Sequence, residues 1–587
     1  MLPKTRALTV LQWLLGLGFA AFFVLAFVDH ESRLDLSGTD EKPIANAAND
    51  AVPAPLPAPP VALAPETKRE KLAAVPLLET QAQDAATGAA LPSSPVPAPV
   101  IAQEHVALPL LVPPANDRER YDPQTINPVK RVIEEPVSTF SIDVDTASYA
   151  NVRRMLDAGH PPPPDAVRIE ELINYFDYDY PPPTERAVPF RVLTELTPSP
   201  FHARRHLLRI ALKGYEVPPS ARPAANLVFL IDVSGSMDSP DKLPLLQRAF
   251  TILTEHLRAD DTIGIVTYAG RAGVVLEPTG DKHRILAAIE QLTPGGSTAG
   301  AAGIHAAYGL ARAAFVPGGI NRVILATDGD FNVGVTSPRA LEQLVAEQRA
   351  SGIGLTVLGF GTGNYNDALM ERLSNVGDGN AYYIDRFREA QKVLVDEISS
   401  TLFTIARDVK IQIEFNPARV AEYRLIGFEN RLLAREDFDN DRVDAGDIGA
   451  GHRVTALYEL ALVGSGGEQL PPSRYAPPSA PVPPEVAGEL AYLKLRYKLP
   501  DATASALLEQ ALQADAIVPW HGASIDHRFA AAVAGFGQLL KDRRYLGDFG
   551  FNDVLRLAQD ARGADPFGYR SEFLQLARQA RGLAGEP

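Results

Sequence analysis

The stretch NLVFLIDVSGSM, residues 226–237, runs from five consecutive apolar residues into an aspartate that is followed by two serines. A short, continuous apolar run of this kind is typical of a β-strand that is buried on both faces. Polar side chains that follow such a strand lie at the carboxyl edge of a parallel sheet, where open α/β sheets bind their ligands. The stretch therefore predicts both an α/β fold and the position of its site.

The region from residue 226 to about residue 401 continues this pattern. Further strand candidates are TIGIVTY, GVVLEP, RVILATD, GLTVLGF and AYYID. Helical stretches separate most of them, which predicts a mostly parallel sheet covered on both faces. The run VVLEP follows its neighbour too closely for a helical crossover, so we expect an antiparallel edge strand there. The fold class is α/β, with a doubly wound, Rossmann-like domain.

Three loops of this domain carry polar side chains that we expect to converge. The run DVSGS supplies Asp232, Ser234 and Ser236, GGST places Thr298 before a helix, and ATDGD puts Asp328 at the end of a strand. In a doubly wound sheet these loops meet at the carboxyl edge. Two carboxylates and three hydroxyls, without nitrogen or sulfur, form a hard oxygen site suited to Mg²⁺, Mn²⁺ or Ca²⁺.

The three segments together resemble the von Willebrand factor A domain and its metal-ion-dependent adhesion site. All five metal positions of that family are matched by the side chains just named. The resemblance implies that the hydroxyls ligate the ion directly or through water, that the second aspartate acts through water, and that a partner's carboxylate completes the octahedron. The flanks, STFSIDVDTASYANVRR and FGQLLKDRRYLGDFGFNDVLRLAQDARGADPFGYRSEFLQL, resemble the bacterial YfbK-like subgroup of exported proteins with this domain.

Composition excludes several other classes of protein. Cysteine is absent, so disulfides, thiol catalysis and thiolate metal sites are excluded. The net charge is −16 and no run rich in lysine or arginine stands out, so nucleic-acid binding has no electrostatic support.

The amino terminus predicts a membrane anchor. Residues 7–28 contain no charge and would span about 33 Å as a helix, enough to cross a bilayer. Basic residues precede this run and acidic residues follow it, which places the amino terminus in the cytoplasm. We expect a single-pass protein of the inner membrane whose bulk lies in the periplasm. Cleavage as a signal peptide after residues 24–26 is the alternative, and it also leads to export.

Composition and pattern divide the chain further. The predicted parts are an anchor at 1–29, an Ala/Pro-rich disordered linker at 30–120, a flanking domain of helices then strands at 121–222, the α/β domain at 226–403, a β-rich region at 407–500 and a helical region at 501–587. Two strands alone make a marginal sheet. We therefore expect the strands on both sides of the α/β domain to form one β domain, into which the α/β domain is inserted.

A second strand-like run, FSIDVDTAS at residues 140–148, is similar to the first. It lacks the later motifs of haloacid-dehalogenase phosphatases, so a catalytic role is not favoured. We predict that Asp145, Thr146 or Ser148 caps the following helix. The alternative is a contact with the α/β domain.

The leading hypothesis is a non-enzymatic, Mg²⁺-dependent interaction with an envelope protein that offers an aspartate or glutamate carboxylate. A metal-dependent hydrolase using the same cluster is one alternative, although no general base is evident near the metal. A regulatory partner of a cytoplasmic AAA-type ATPase is the other, and predicted export argues against it.

Overall fold

The protein is described by a computed structural model. It covers residues 119–142, 145–185, 188–296, 300–329, 338–363, 365–471, 474, 483–500 and 502–586. The anchor and nearly all of the predicted linker lie outside these residues. Within them, no helix combines the length and apolar character needed to cross a membrane. The fold begins slightly before the predicted end of the linker, because the Arg120 N–H donates to the Tyr365 carbonyl at 3.1 Å.

The strands lie both inside and outside the α/β domain. In chain order they are β1 Lys130–Arg131, β2 Val137–Ser141, β3 Phe190–Pro198, β4 His206–Gly214, β5 Ala225–Asp232, β6 Thr262–Tyr268, β7 Ala272–Thr279, β8 Ile320–Thr327, β9 Gly354–Phe360, β10 Ala381–Ile384, β11 Thr404–Phe415, β12 Val420–Ile426, β13 Gly446–Gly449, β14 Arg453–Leu462, β15 Glu489–Lys498 and β16 Ala506–Gln513.

The α-helices separate the parallel strands and close the carboxyl end of the described chain. In chain order they are α1 Ala147–Asp157, α2 Ile169–Asn174, α3 Leu243–Glu255, α4 Lys282–Glu290, α5 Gly300–Ala313, α6 Pro338–Ala350, α7 Asp367–Val376, α8 Phe387–Gln391, α9 Ile398–Leu402, α10 Ile525–Lys541, α11 Phe551–Asp560 and α12 Tyr569–Leu583.

The α/β domain is built on a six-stranded sheet with the order β10-β9-β8-β5-β6-β7. Its central strands β5 and β8 are buried along their whole length, which explains the apolar runs at residues 227–231 and 323–326. Neighbouring strands are parallel except for β7, which pairs antiparallel with β6. The predicted doubly wound sheet and its antiparallel edge strand are both confirmed.

A second domain joins strands from both sides of the α/β domain. One sheet has the order β1-β12-β14-β4-β3, so β4, which precedes the α/β domain, pairs with β14, which follows it. The other sheet contains β13-β11-β15-β16, with β2 paired to β11. Apolar side chains of both sheets form one core, including Phe140, Leu208 and Ile413. The expected insertion into a shared β domain is therefore confirmed.

Helices cover the outer face of the first sheet. Helices α10, α11 and α12 share a core with α1, α2 and apolar residues of β4 and β14, including Leu207 and Leu457. The prediction that the chain is helical from residue 501 is wrong for residues 506–513, which form β16 along β15. The sequence ALLEQALQ has good helix formers, but pairing at the open edge of a sheet overrides that propensity.

The segment around Asp145 supports the α/β domain instead of capping a helix. Thr146 occupies the N-cap of α1 without a side-chain hydrogen bond, and the Ser148 hydroxyl donates to the Ala166 carbonyl at 2.7 Å. The Asp145 carboxylate accepts the backbone N–H of Ala381, in edge strand β10, at 2.8 Å. The capping prediction is wrong and the alternative, a contact with the α/β domain, is confirmed. The physical reason is that the edge strand has backbone donors that need a partner.

Candidate metal centre

Two aspartates lie at the ends of adjacent strands. Asp232 is the last residue of β5, and Asp328 directly follows β8. These strands are paired in parallel, with Ile231 opposite Ala326. Both carboxylates are therefore at the carboxyl edge of the sheet, and both residues have no exposed surface.

The Asp232 carboxylate accepts hydrogen bonds from the serine loop and from the end of the neighbouring strand. Its Oδ1 accepts the backbone N–H of Ser234 at 2.8 Å, and its Oδ2 accepts the hydroxyl of Thr327 at 3.5 Å. Burial raises the pKa of Asp232 to about 6, and the negative charge of Asp328 adds to the rise, while the hydrogen bonds from Ser234 oppose it. Burial thus makes the ionised form of Asp232 costly, and its hydrogen bonds offset only part of that cost.

The hydroxyls of the first loop face one another. Ser234 Oγ and Ser236 Oγ are 3.0 Å apart; Ser234 is nearly buried, whereas Ser236 is exposed. This arrangement leaves the cluster open to solvent on the Ser236 side. The sequence predicted both hydroxyls at this place.

The glycine-rich loop lies against the serine loop. The Gly295 N–H donates to the Val233 carbonyl at 2.8 Å, and the Gly235 N–H donates to the Gly296 carbonyl at 3.2 Å. Gly296 has a φ of +89°, a conformation that favours glycine. Thr298, the fifth predicted ligand, lies outside the described residues, two positions beyond this contact.

Sequence reasoning missed a cation in the cluster. The Lys242 ammonium donates to Asp328 Oδ2 at 2.9 Å, and Lys242 is buried. Lys242 is the N-cap residue of α3. Helix N-caps favour Ser, Thr, Asp and Asn, and the helix dipole disfavours a cation there. The signal in the sequence was a lysine at the N-cap, directly before LPLLQ. A cation at this unfavourable position could have indicated a nearby carboxylate.

The donors at this edge fit a hard divalent cation. They are carboxylate and hydroxyl oxygens, the ligands that Mg²⁺, Mn²⁺ and Ca²⁺ prefer. Over the part of the chain that the structure describes, no three His, Cys, Asp or Glu side chains converge to hold a metal. An ion here would therefore depend on the serine hydroxyls as well as on the two aspartates. The elevated pKa of Asp232 indicates that added positive charge would be favourable.

Three family models match the chain. The model described as von Willebrand factor type A domain matches residues 227–330, and one described as von Willebrand factor matches residues 115–209. The model of the C-terminal part of the uncharacterized protein YfbK matches residues 400–583. The three matches extend over both the α/β domain and its flanks.

Individual proteins are also similar. The uncharacterized protein YfbK of Escherichia coli K12 is 47% identical over 472 residues, covering 79% of this chain and 81% of that protein. A UPF0353 protein of Mycolicibacterium paratuberculosis is 25% identical over 228 residues, covering 35% of this chain and 65% of that protein. The solved structure of von Willebrand factor type A from Catenulispora acidiphila is 16% identical with a TM-score of 0.37, covering 66% of this chain and 89% of that one.

Proposed function

The chain belongs to the YfbK family of proteins with a von Willebrand factor type A domain, and on that basis we propose that it binds a partner protein through a divalent metal ion. The domain itself indicates a role in protein interaction or adhesion. In this proposal the ion is Mg²⁺, with Mn²⁺ and Ca²⁺ as chemically similar candidates. Its ligands are Asp232, Ser234, Ser236, Thr298 and Asp328.

One observation carries the proposal. Two fully buried carboxylates share a sheet edge with two hydroxyls 3.0 Å apart, and the cluster is open at Ser236. Mg²⁺ takes six oxygen ligands in near-octahedral geometry and usually keeps some of them as water. When bound, the ion supplies the positive charge to which a carboxylate from outside the protein is attracted. The chain's own residues position the ion: Ser234 N–H orients the Asp232 carboxylate, and the Gly295–Gly296 loop supports the serine turn.

The proposal extends to the location of the partner. Residues 7–28 have the length and apolar character of a membrane anchor, and the basic residues before them favour a periplasmic location for the rest of the chain. The partner is then a protein of the envelope that offers an aspartate or glutamate.

The test is metal-dependent capture from native envelope extract. The immobilised full-length protein is incubated with the extract in Mg²⁺, in EDTA, and in EDTA followed by excess Mg²⁺. A specific partner should bind in Mg²⁺, be lost in EDTA and return when Mg²⁺ is restored. Asp232→Ala should lose it under every condition, because the buried carboxylate at the centre of the proposed ligand set is gone.

Asp238→Ala is the matched control. Asp238 is an exposed aspartate in the same turn, Gly235–Asp238, and it is not one of the proposed ligands. This variant should retain the partner. Capture that is equal in Mg²⁺, in EDTA and with Asp232→Ala would show that the cluster is not the binding surface.

A further inference from the structure

Lys242 brings a positive charge to Asp328, one of the proposed metal ligands. Its ammonium is 2.9 Å from Asp328 Oδ2, and the two residues are 86 positions apart in the sequence. Asp328 has no exposed surface, and the Lys242 side chain is 9% exposed. In such a place a charge interacts strongly with its neighbours, because water screens it poorly.

The fold makes room for this lysine at a specific glycine. Gly361 directly follows β9 and has a φ of +74°. A Cβ at position 361 would lie 2.2 Å from Lys242 Cε and 2.4 Å from its Cγ. The Gly361 carbonyl accepts the Tyr383 hydroxyl at 2.5 Å, which fixes this backbone in place. The aliphatic stem of Lys242 therefore packs directly against Gly361, in the space that a larger side chain at position 361 would occupy.

The start of α3 disfavours this cation unless it is paired. Lys242 occupies the N-cap, where the helix dipole presents its positive end. The side chain gains no capping hydrogen bond there. Among the described residues, the carboxylate paired with it is Asp328, so the lysine and the aspartate stabilise each other across the domain.

We propose that Lys242 is a tethered cation that competes with the divalent ion for Asp328 and so makes retention of the ion depend on a partner's carboxylate. The inference rests on the proposed function of the same site. With a divalent ion in place, two carboxylates and one ammonium leave one surplus positive charge. A carboxylate from the partner neutralises it. Ion and partner therefore bind cooperatively, each raising the affinity for the other.

The competition can be measured with Mn²⁺ alone. Purified full-length protein is titrated with Mn²⁺, and the free ion is followed by electron paramagnetic resonance. The neutral variants Lys242→Gln and Lys242→Met should bind Mn²⁺ at least about tenfold more tightly than the wild type, because a buried like charge is removed. Glutamine keeps a donor for Asp328, so Lys242→Gln remains informative if the methionine variant folds poorly.

Two further variants separate charge from other effects. Lys242→Arg keeps the positive charge and should retain the wild-type affinity for Mn²⁺. Lys282→Met is the matched control, since the Lys282 ammonium donates to the Glu255 carbonyl on the surface of the same domain, and it should also match the wild type.

The outcomes distinguish the two proposals. If the wild type binds Mn²⁺ and the neutral variants bind it equally or more weakly, Lys242 is not a competitor, and only this inference is overturned. If neither the wild type nor any variant binds Mn²⁺, the metal-dependent function fails and the inference fails with it. A gain in affinity for Lys282→Met equal to that of Lys242→Gln would also overturn it, because net charge alone would then explain the change.

Discussion

Asp232 is a carboxylate that lies at the end of a strand and is nevertheless fully buried. Its carboxylate has no exposed surface and depends on the Ser234 N–H and the Thr327 hydroxyl for hydrogen bonds. Burial raises its pKa to about 6, from the ordinary value of 3.8. A carboxyl with a raised pKa stabilises the folded state fully below its unfolded pKa, and this contribution is lost as the pH rises through the folded value. The contribution of Asp232 to the stability of the metal-free protein should therefore be lost between about pH 4 and pH 6.

Removing the charge of Asp232 should stabilise the metal-free protein. In EDTA at pH 8, Asp232→Asn should raise the free energy of unfolding by up to about 3 kcal/mol, because no buried carboxylate has to be kept ionised. The difference should shrink towards pH 4, where the wild-type carboxyl is protonated. With Mg²⁺ in excess the order should reverse, since only the wild type gains the stabilisation that comes from binding the ion.

Urea unfolding at pH 4 and pH 8, with EDTA or Mg²⁺, measures these differences. Asp238→Asn, which changes an exposed aspartate in the same turn, should follow the wild type under all four conditions. A variant Asp232→Asn that is less stable than the wild type in EDTA at pH 8 would contradict the prediction.

At the scale of elements, a single buried arginine joins three parts of the chain. Arg153 in α1 donates to Asp385 Oδ2 at 2.9 Å, to Glu389 Oε2 at 2.7 Å and to Glu572 Oε1 at 3.0 Å. Asp385 follows β10, Glu389 lies in α8 and Glu572 lies in the last helix, α12. Arg153 is 1% exposed, and its carboxylate partners are at most 12% exposed, so nearly buried charges join the α/β domain, the flanking helix α1 and the carboxyl-terminal helix.

Replacing Arg153 should be costly because it leaves buried carboxylates without their cation. Arg153→Met should lower the free energy of unfolding by about 3–5 kcal/mol, the range for breaking a buried ion pair. Arg372 is the control: its side chain is 48% exposed and its carboxylate partners lie 3.5 and 3.6 Å away. Arg372→Met should cost at most about 1 kcal/mol. Equal losses for the two variants in urea unfolding would show that Arg153 does not join these elements.

At the scale of the whole molecule, the strands of the β domain come partly before and partly after the α/β domain in the sequence. Strand β14 pairs on one side with β12 and on the other with β4, which comes before the α/β domain in the chain. Strand β11 likewise pairs with β2 from the start of the described chain. The β domain therefore depends on contacts between residues that lie on either side of a whole inserted domain.

Separate expression should expose this dependence. A fragment of residues 407–500 lacks β1, β2, β3, β4 and β16. Strands β11, β12, β14 and β15 would each lose a neighbour, and much of an apolar core would face water. We expect it to be insoluble or to unfold without a cooperative transition, as monitored by circular dichroism in urea. A chain of residues 119–586 is the control and should unfold cooperatively. Cooperative folding of the short fragment on its own would rule out the dependence on the earlier strands.

The sequence by itself determined the α/β domain and the position of its candidate site. An apolar run such as residues 227–231 can be recognised from the sequence alone, because a strand buried on both faces is mostly apolar. The polar residues at strand ends follow from the same rule, since parallel strands end at one edge. Asp232, Ser234, Ser236 and Asp328 are brought together there as expected, whereas the position of Thr298 and the identity of the ion remain predictions.

Only the tertiary structure decided which distant residues meet. Lys242 reaches Asp328 across 86 positions, Asp145 supports Ala381 across 236, and Arg153 meets Glu572 across 419. The strand β16 was missed for a related reason, because its helix-forming residues are held extended by their neighbour β15. The periodicity of apolar residues indicates whether a segment is buried on one face or on both. It does not indicate which buried charges pair or which sheet edges meet, because these depend on how distant segments pack together. That packing is set by the whole chain, because buried charges such as those of Lys242 and Arg153 need partners that their own segments do not supply.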